Sequence, residues 1–587
     1  MAAKQPKKST EHPAHSAHHH ASKFSDKQKK IALLIVALAF VMDLLDSTIV
    51  NIAIPSIQEN LGASYATIQW LIAGYSLTFA TMLITAGRMG DVFGYKKLFL
   101  WGVGGFTLTS LAAGLAWNSE VLIIARLLQG VAAALMVPQV MSLMQILYKP
   151  SERTQVMGIF GALAGVAASL GPVVGGLLIH WDIAGLDWRP IFLINIPIGI
   201  FALWAGSKFL PDGKSPHPLK LDITGTLIII LAMTLLIFPL IEGRDLDWPA
   251  WTFVMMLASV PMLALFAWWQ FKKDKKDHSP LVVPALLRTP TFIKGLIINL
   301  TFEGAMLGFF LPFTLILQVG LGYEVVKAAL TGIPTAIGIS VTMAVFSQKI
   351  IPKLGRYALS LGVVLMAVGL LVLQWFIERS GLNTTPWEFI PGLLITGAGM
   401  AMIMAPIFAV VLTDVDPKHA GSASGVLSAV QQLGGAIGVA LIGVFFFGQL
   451  SSSAVASFDE AAPAMKQQLV AAHMPEAQAS AILGGAKQCF VDMTHQKDTS
   501  ETPDSCKKLE SPSVPANLPP EAAAQLKAQG EKVATIMQDG VKQANADNFV
   551  NAFRTSVVYE LCILAVVFVL SFGLPRHIRP EAYQEAA

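Results

Sequence analysis

Long runs of apolar residues dominate the hydrophobic pattern of this chain, and short polar connections separate them. A helical run of about 20 apolar residues rises about 30 Å, which matches the hydrocarbon thickness of a bilayer. Fourteen such runs predict fourteen transmembrane helices and therefore an all-α polytopic membrane protein. The predicted spans are residues 31–54, 68–88, 98–117, 120–146, 155–180, 190–210, 221–241, 250–271, 290–318, 327–350, 357–377, 388–412, 422–448 and 554–574.

Composition and charge distribution agree with this interpretation. Hydrophobic residues make up 54% of the chain and charged residues 13%, whereas a soluble domain carries about 25% charged residues. Lysine and arginine concentrate in the N-terminal tail, in every second connection and after the last predicted span. By the positive-inside rule both termini are expected in the cytoplasm, which requires an even number of spans. This bias accounts for the net charge of +3, so we expect no nucleic-acid partner.

Three segments lie outside the predicted spans and their short connections. Residues 1–30 are polar and rich in Lys and His, which predicts a disordered cytoplasmic tail. Residues 575–587 are expected to form a second cytoplasmic tail. Residues 449–553 form a long connection, expected to be extracellular, whose helical periodicity predicts a helical hairpin. Cys489 and Cys506 lie in this loop, where a disulfide is possible, and two unrelated thiols are the alternative.

Ionisable residues inside the predicted spans are the strongest functional candidates, because a charge in hydrocarbon is costly and usually faces a cavity. Asp43 and Asp46 lie three residues apart in the first span and share one helical face. Helical rise places both aspartates, Arg126 and Glu303 at about 18–23 Å from the inner surface. These four residues are therefore predicted to form a proton and substrate cavity near the midplane. Ion pairs that only fix helix packing are the alternative.

Three local motifs add a second signal. Glycines and charged residues follow one another at the end of the second span and in the connection after it, at Gly87, Arg88, Gly90, Asp91, Gly94, Lys96 and Lys97. The three glycines predict a tight turn, and Asp91 is expected to accept hydrogen bonds from the N-terminus of a neighbouring helix. An Arg-x-x-Gln-Gly sequence occurs in the fourth span, at Arg126, Gln129 and Gly130. Small residues surround a proline in the fifth span, at Gly165, Gly171, Pro172, Gly175 and Gly176. Small residues at this spacing allow close helix crossings in lipid, and such a crossing without further function is the alternative.

These sequences resemble the cytoplasmic gating motif, the fourth-span motif and the antiporter motif of the major facilitator superfamily. The stretch that begins at Asp46 is similar to the first-span signature of its fourteen-span drug:proton antiporter branch. The resemblance implies two six-helix halves with two helices inserted between them, and a substrate cavity that opens alternately to each side. The implied division is 31–210 for the N-terminal half, 211–280 for the inserted pair, and 281–448 with 554–574 for the C-terminal half.

The sequence thus predicts a transporter and not an enzyme: a proton-coupled exporter of lipophilic drugs in the bacterial cytoplasmic membrane. Asp43 is not part of the branch signature, and its added negative charge favours cationic substrates. The expected partners are a lipophilic small molecule, protons and the bilayer. No catalytic residue, metal or cofactor is expected beyond the proton gradient, and we expect a monomer. An exporter of an endogenous lipid, siderophore or natural product is the alternative, and a membrane scaffold or sensor acting through the extracellular loop is a remote one.

Overall fold

The computed structural model describes residues 25–148, 150–214, 220–346, 351–412, 414–415, 420–495, 503–507 and 520–576. Regular secondary structure in this part of the chain is helical throughout, without a strand. The long helices are α1 (Asp26–Leu61), α2 (Tyr65–Phe93), α3 (Tyr95–Gly114), α4 (Ser119–Leu147), α5 (Pro150–His180), α6 (Pro190–Phe209), α7 (Ile223–Glu242), α8 (Ala250–Asp277), α9 (Pro290–Gly320), α10 (Val325–Val345), α11 (Arg356–Ser380), α12 (Pro386–Leu412), α13 (Ala420–Ala471), α14 (Glu476–His495) and α15 (Pro520–Ser571).

Each predicted span coincides with one of these helices, although residues 347–350 lie outside the described part. Twelve helices of the described residues are long and apolar enough to cross a membrane. Helices α3 and α5, at the third and fifth predicted spans, are not among those twelve. The side chains of α5 are described only in part, and Leu170–His180 within the described part is a shorter apolar segment. The chain is therefore an all-helical protein with many candidate spans, and the number fourteen stays a prediction.

Helix α1 begins inside the segment that was predicted to be disordered. Ser25 caps it, because its hydroxyl accepts a hydrogen bond from the Gln28 N–H while the Gln28 side chain accepts one from the Ser25 N–H. Lys29 then forms an ion pair of 3.0 Å with Glu152 of α5. The predicted tail limit at residue 30 is therefore wrong, since residues 26–30 are helical. Residues 1–24 and 577–587 of the two predicted tails lie outside the described residues.

Glycines allow two helices of the C-terminal half to cross in backbone contact. Gly304 and Gly308 of α9 face Gly434 and Gly438 of α13. A Cβ atom at Gly304 would lie 3.2 Å from the Gly434 carbonyl oxygen, and one at Gly308 would lie 3.7 Å from that of Gly438. Larger residues at these positions would separate the helices. The crossing fixes α9 and α13 side by side along the stretch that carries Glu303.

The two predicted halves contact each other through α2 with α13 and through α5 with α10. On the side that carries the hairpin, the Gln318 amide donates a hydrogen bond of 3.1 Å to the Ile52 carbonyl oxygen. Gly176 of α5 lies there against Ala329 of α10. The inserted helix α7 contacts both α2 and α13, and α8 packs on α7. The halves are thus closed against each other on the hairpin side.

The segment 449–553 continues two spans as long helices instead of forming a separate domain. Helix α13 extends to Ala471, α14 packs back against it, and α15 leads into the last span. Apolar side chains of these helices form a small core: Phe458, Met465, Leu469, Leu483 and Phe490. Cys489 and Cys506 form a disulfide that ties α14 to the short turn at Asp504–Lys507. Residues 496–502 and 508–519 of the predicted loop lie outside the described residues.

The disulfide provides a test of which side of the membrane the hairpin occupies. In a Cys562→Ser background, an impermeant maleimide added to intact cells should label the protein only after an impermeant reductant, because the two remaining thiols are bonded and expected outside. The measurement is fluorescence of the labelled band, and Cys489→Ser should be labelled without reductant as a control. Labelling that requires inverted vesicles would place the hairpin in the cytoplasm and reverse the predicted orientation of every span.

Candidate functional site

A buried ion pair joins the first and fourth predicted spans. Arg126 Nη1 lies 2.5 Å from Asp46 Oδ2, and both side chains are enclosed. The other carboxylate oxygen, Asp46 Oδ1, accepts hydrogen bonds from Gln129 Nε2 at 2.9 Å and from Asn195 Nδ2 at 2.8 Å. Arg126 Nε donates to the Leu71 carbonyl oxygen at 3.1 Å. Both charges are therefore satisfied by fixed partners, as burial of an ion pair requires.

Three neutral polar residues complete this cluster, and none of them was predicted as a site residue: Ser110, Asn195 and Tyr75. The Ser110 hydroxyl of α3 lies 2.8 Å from Gln129 Nε2 and 3.2 Å from Asn195 Nδ2. The Arg126 guanidinium lies 4.3 Å from the centre of the Tyr75 ring. Their position in the sequence could have identified them, because a hydrogen-bonding side chain inside an apolar span usually contacts another helix.

Asp43 lies one helical turn before Asp46 and has a different environment. It accepts a short hydrogen bond from the Tyr75 hydroxyl of α2. No ion pair of the described residues includes Asp43, although the side chain is buried. Asp43 thus has one neutral donor and no fixed counter-charge, in contrast to Asp46, so it is the member of this cluster that can exchange a proton without breaking an ion pair.

Glu303 lies in the other half of the molecule, on α9. Its Oε1 accepts a hydrogen bond of 2.5 Å from Gln431 Nε2 of α13, and the side chain is buried. No described hydrogen bond or ion pair connects Glu303 with Arg126 or the aspartates. Three of the four predicted cavity residues, Asp43, Asp46 and Arg126, are thus linked by the ion pair and through Tyr75, whereas Glu303 bonds to α13 within its own half. Like Asp43, it has a neutral partner.

The glycines of the gating motif have roles that differ from those predicted. Only Gly94 forms a turn, with a φ of +99° between α2 and α3, a conformation that other residues rarely adopt. Gly87 and Gly90 lie inside α2 and face Pro138 and Gln139 of α4. The prediction of a tight turn at all three glycines was therefore wrong at two of them, where absence of a side chain allows close helix packing.

The charged residues of the gating motif bind neighbouring loops. Arg88 donates hydrogen bonds to the carbonyl oxygens of Ser279, at 2.7 Å, and Pro280, in the segment that leads from α8 into the C-terminal half. Asp91 accepts from the Tyr95 hydroxyl at 2.8 Å instead of from the N-terminus of a neighbouring helix, which corrects that expectation. Lys96 lies 3.8 Å from Asp212, and Lys97 is exposed. The motif thus ties the inserted pair to the N-terminal half.

The fourth-span glycine and the antiporter motif mark close helix contacts. A side chain at Gly130 would overlap Thr78 and the Tyr75 backbone of α2. Gly171 lies against Thr48 of α1, and Gly175 lies against Ile49 and Ile52. Pro172 lies within α5 between these glycines, and Gly176 faces the other half as described above. The surroundings of Gly165 lie outside the described residues. Helix α5 therefore contacts α1 with one face and α10 with another.

A surface groove lies apart from these groups, between α5, α10 and α12. Its volume is about 730 Å³, and its lining includes His180, Trp181, Glu324, Lys327 and Trp387. None of the four predicted cavity residues lines it. The groove is on the hairpin side of the α5–α10 contact and is distinct from the buried carboxylates.

The ion pair predicts a large effect of removing only one partner. Arg126→Leu would leave Asp46 as a buried, uncompensated charge, so we expect the free energy of unfolding to fall by about 3–5 kcal/mol. Adding Asp46→Asn should restore much of this loss, because it removes the unpaired charge. Thermal unfolding in detergent measures both changes, with the exposed Arg288→Leu as control. Equal stability of Arg126→Leu and wild type would contradict the assignment.

The contact between α1 and α5 predicts a second effect. A Cβ atom at Gly171 would lie 3.0 Å from the Thr48 Cβ, so Gly171→Leu should force the two helices apart. We expect the variant to insert into the membrane but to unfold at lower temperature and to lose transport. Gly425→Leu is the matched control, since nothing lies within 4 Å of a Cβ there. If both variants behave alike, the Gly171 face of α5 does not make this contact.

Comparisons with known proteins identify the family. The family model described as "Major Facilitator Superfamily" matches residues 36–439. The chain is 38% identical over 550 residues to the "Probable actinorhodin transporter" of Streptomyces coelicolor, covering 94% of this chain and 92% of the relative. It is 32% identical to the "Tetracenomycin C resistance and export protein" of Streptomyces glaucescens, covering 70% of this chain and 75% of the relative.

Solved structures agree at the level of the fold. An inward-facing bacterial homologue of the human lysosomal transporter Spinster has a TM-score of 0.56 and 15% sequence identity, over 95% of this chain and 100% of that structure. A peptide transporter in complex with sulfate has a TM-score of 0.54 over 81% of this chain and 96% of that structure. The family predicted from the motifs is confirmed, and the chain is a multi-pass membrane transporter of the major facilitator superfamily.

Proposed function

We propose that this transporter exports antibiotics or similar lipophilic small molecules from the cell in exchange for protons. The relatives support export as the direction, since one is named as a resistance and export protein and another as a transporter of the antibiotic that its name gives. The observation that carries proton exchange is that each half contains a buried carboxylate whose hydrogen-bond partner is neutral, Asp43 in one half and Glu303 in the other.

Asp46 is not one of the proposed proton carriers. Its carboxylate binds Arg126, Gln129 and Asn195, so protonation would require the loss of an ion pair in a place where Arg126 has no other anionic partner among the described residues. Arginine stays charged under all physiological conditions. Asp46 and Arg126 therefore act as a fixed, neutral unit that positions α1 against α4, and thereby positions Asp43.

The proposed cycle follows from the electrostatics of the two free carboxylates. When the site faces the cytoplasm, an ionised Asp43 or Glu303 attracts a cationic substrate, because opposite charges interact strongly where water is scarce. When the site faces outward, protons neutralise the carboxylates and the attraction is lost, so the substrate leaves. Return of the protonated protein and release of its protons inside complete the exchange. No cofactor is required in this cycle beyond the proton gradient.

The two halves provide the movement. On the hairpin side they touch through Gln318 with Ile52 and through Gly176 with Ala329. These contacts must separate for the site to open towards the hairpin, while contacts on the other side form. We propose that the hairpin side is extracellular and both termini cytoplasmic, in the bacterial plasma membrane, and that a monomer completes the cycle.

A single natural product as substrate is the second candidate. The relative with 38% identity over nearly the whole chain is named for one compound, which favours a transporter of narrow specificity. Two carboxylates without counter-ions favour a cation over a neutral or anionic product. Competition of unlabelled natural products with ethidium efflux separates the two candidates, since broad competition indicates a multidrug exporter.

Removal of each free carboxylate tests the proposed function. Asp43→Asn and Glu303→Gln should each reduce ethidium transport into energised inverted vesicles at least tenfold, because the neutral amide cannot take up or release a proton. The amount of folded protein should remain close to that of wild type, since amides of the same shape replace groups that have neutral partners. Collapse of the pH gradient with nigericin should reduce wild-type transport to the level of the variants.

The control is Glu378→Gln, which neutralises an exposed carboxylate on α11 that lies 3.7 Å from Arg554. This variant should transport as wild type does. Wild-type rates in both Asp43→Asn and Glu303→Gln would refute the assignment of these carboxylates. A wild-type rate that nigericin leaves unchanged would refute proton exchange itself.

A further inference from the structure

Glu560, in the last predicted span, is a buried carboxylate that neither the motifs nor the proposed cavity include. Only 1% of the residue is exposed. Both of its carboxylate oxygens are enclosed, and neither has a hydrogen-bond partner among the described residues. This differs from Asp46, which has three polar partners, and from Asp43 and Glu303, which have one each. Buried polar groups without a partner are rare and require an explanation.

The carboxyl group lies where three helices meet. A Cβ atom at Gly308 of α9 would be 3.1 Å from Glu560 Oε1, and Ile442 and Gly438 of α13 border the same position. Because Gly308 has no side chain, the carboxyl group of Glu560 has room to lie against α9 at this position. This junction belongs to the glycine crossing of α9 and α13. Glu303 precedes Gly308 by five residues, which is about 7.5 Å along α9.

No opposite charge faces Glu560 from the helices packed against it. Helix α13 carries no titratable residue between 422 and 458, and the membrane part of α11 carries none between Tyr357 and Glu378. On α15 the neighbouring Tyr559 hydroxyl is itself buried and without a partner. The remaining titratable or charged residues on these helices within the span are the thiol of Cys562 on α15, Lys294 and Glu303 on α9, and Glu378 with Arg554. The last two pair with each other.

An ionised carboxylate cannot be stable in this position. Its charge would be enclosed without a hydrogen bond or counter-ion, which is the least favourable environment for an anion in a protein. The side chain therefore holds a proton in this conformation. A leucine or methionine would fill the same space without a polar atom, so helix packing alone does not explain a glutamate here.

We propose that Glu560 is a further proton-binding site of the transport cycle, which takes up a proton when the junction of α9, α13 and α15 opens to outer water, holds it while these helices are packed together, and passes it by way of Glu303 to the cytoplasm. The inference rests on the proposed proton exchange and extends it. The halves close at the hairpin side in this structure, and rearrangement of α9 and α13 in the opposite state would expose the junction. Each transported substrate would then be exchanged for one more proton than the cavity carboxylates carry alone.

The number of coupled protons sets the steepest substrate gradient that the transporter can hold. Each proton contributes a factor of about 10 in substrate ratio per unit of pH difference, since one pH unit corresponds to 1.36 kcal/mol. In proteoliposomes with the membrane potential clamped by potassium and valinomycin, Glu560→Gln should therefore hold an ethidium ratio about tenfold lower than wild type at a pH difference of about one unit. Glu378→Gln should match wild type.

An unchanged ratio in Glu560→Gln would overturn the proposal and leave Glu560 a structural residue. If the variant shows no pH-driven transport, ethidium exchange at equal pH decides the question. Normal exchange supports a lost proton site, and absent exchange overturns it by indicating a structural defect. If wild-type transport does not respond to a pH gradient, the proposed function itself is refuted. The wild-type measurement therefore separates failure of the proposed function from failure of the proposal for Glu560.

A spectroscopic measurement on the wild-type protein does not depend on the variant folding. A protonated carboxyl group without a hydrogen bond has a carbonyl stretch at higher frequency than the hydrogen-bonded carboxyl groups expected at Asp43 and Glu303. The infrared spectrum of the purified transporter should contain such a band, and the band should shift in D₂O. Its absence would show that Glu560 is ionised or hydrogen-bonded and would overturn the proposal.

Discussion

The interior of a bilayer offers no water to a polar side chain, and this constraint organises the structure. Each charge must find partners within the protein or give up its charge. The Asp46–Arg126 pair is the strictest case: the side chains of Gln129 and Asn195 bond to Asp46, and Ser110 of α3 bonds to both of these amides. Since both charges would be intolerable alone, the pair holds α1, α4 and α6 in one arrangement. The glycines at 130, 171 and 175 allow the close contacts that this arrangement requires.

The buried carboxylates of the two halves differ in how far their surroundings satisfy them. Asp46 has a cation and two amides, Asp43 has one hydroxyl, Glu303 has one amide, and Glu560 has no partner among the described residues. A fully bonded carboxylate stabilises helix packing. A carboxylate with a neutral partner, or with none, is held in place but can gain or lose a proton without breaking an ion pair. Proton exchange needs groups of the second kind, and such groups occur in both halves.

The length of the apolar runs was sufficient to predict the helices, because the thickness of a bilayer dictates that length. Depth alone predicted that Arg126 lies at the level of the two aspartates of the first span, and the choice of Asp46 as its partner came from the structure. Depth did not predict the partner of Glu303, because the rotation of α9 about its axis turns that side chain towards α13. Glu560 was missed because it lies near the start of its span, where a carboxylate is ordinarily hydrated. The start of α1 at Asp26 was missed because capping by Ser25 outweighed a polar composition.

In the proposed cycle, substrate and protons move in opposite directions through one transporter. Proteoliposomes loaded with ethidium and a pH indicator, then diluted into dye-free buffer of equal pH, test this directly. As ethidium leaves, the interior should become acidic, and the acidification should stop in Glu303→Gln. Ethidium efflux through the wild-type protein without any change in internal pH would contradict the claim.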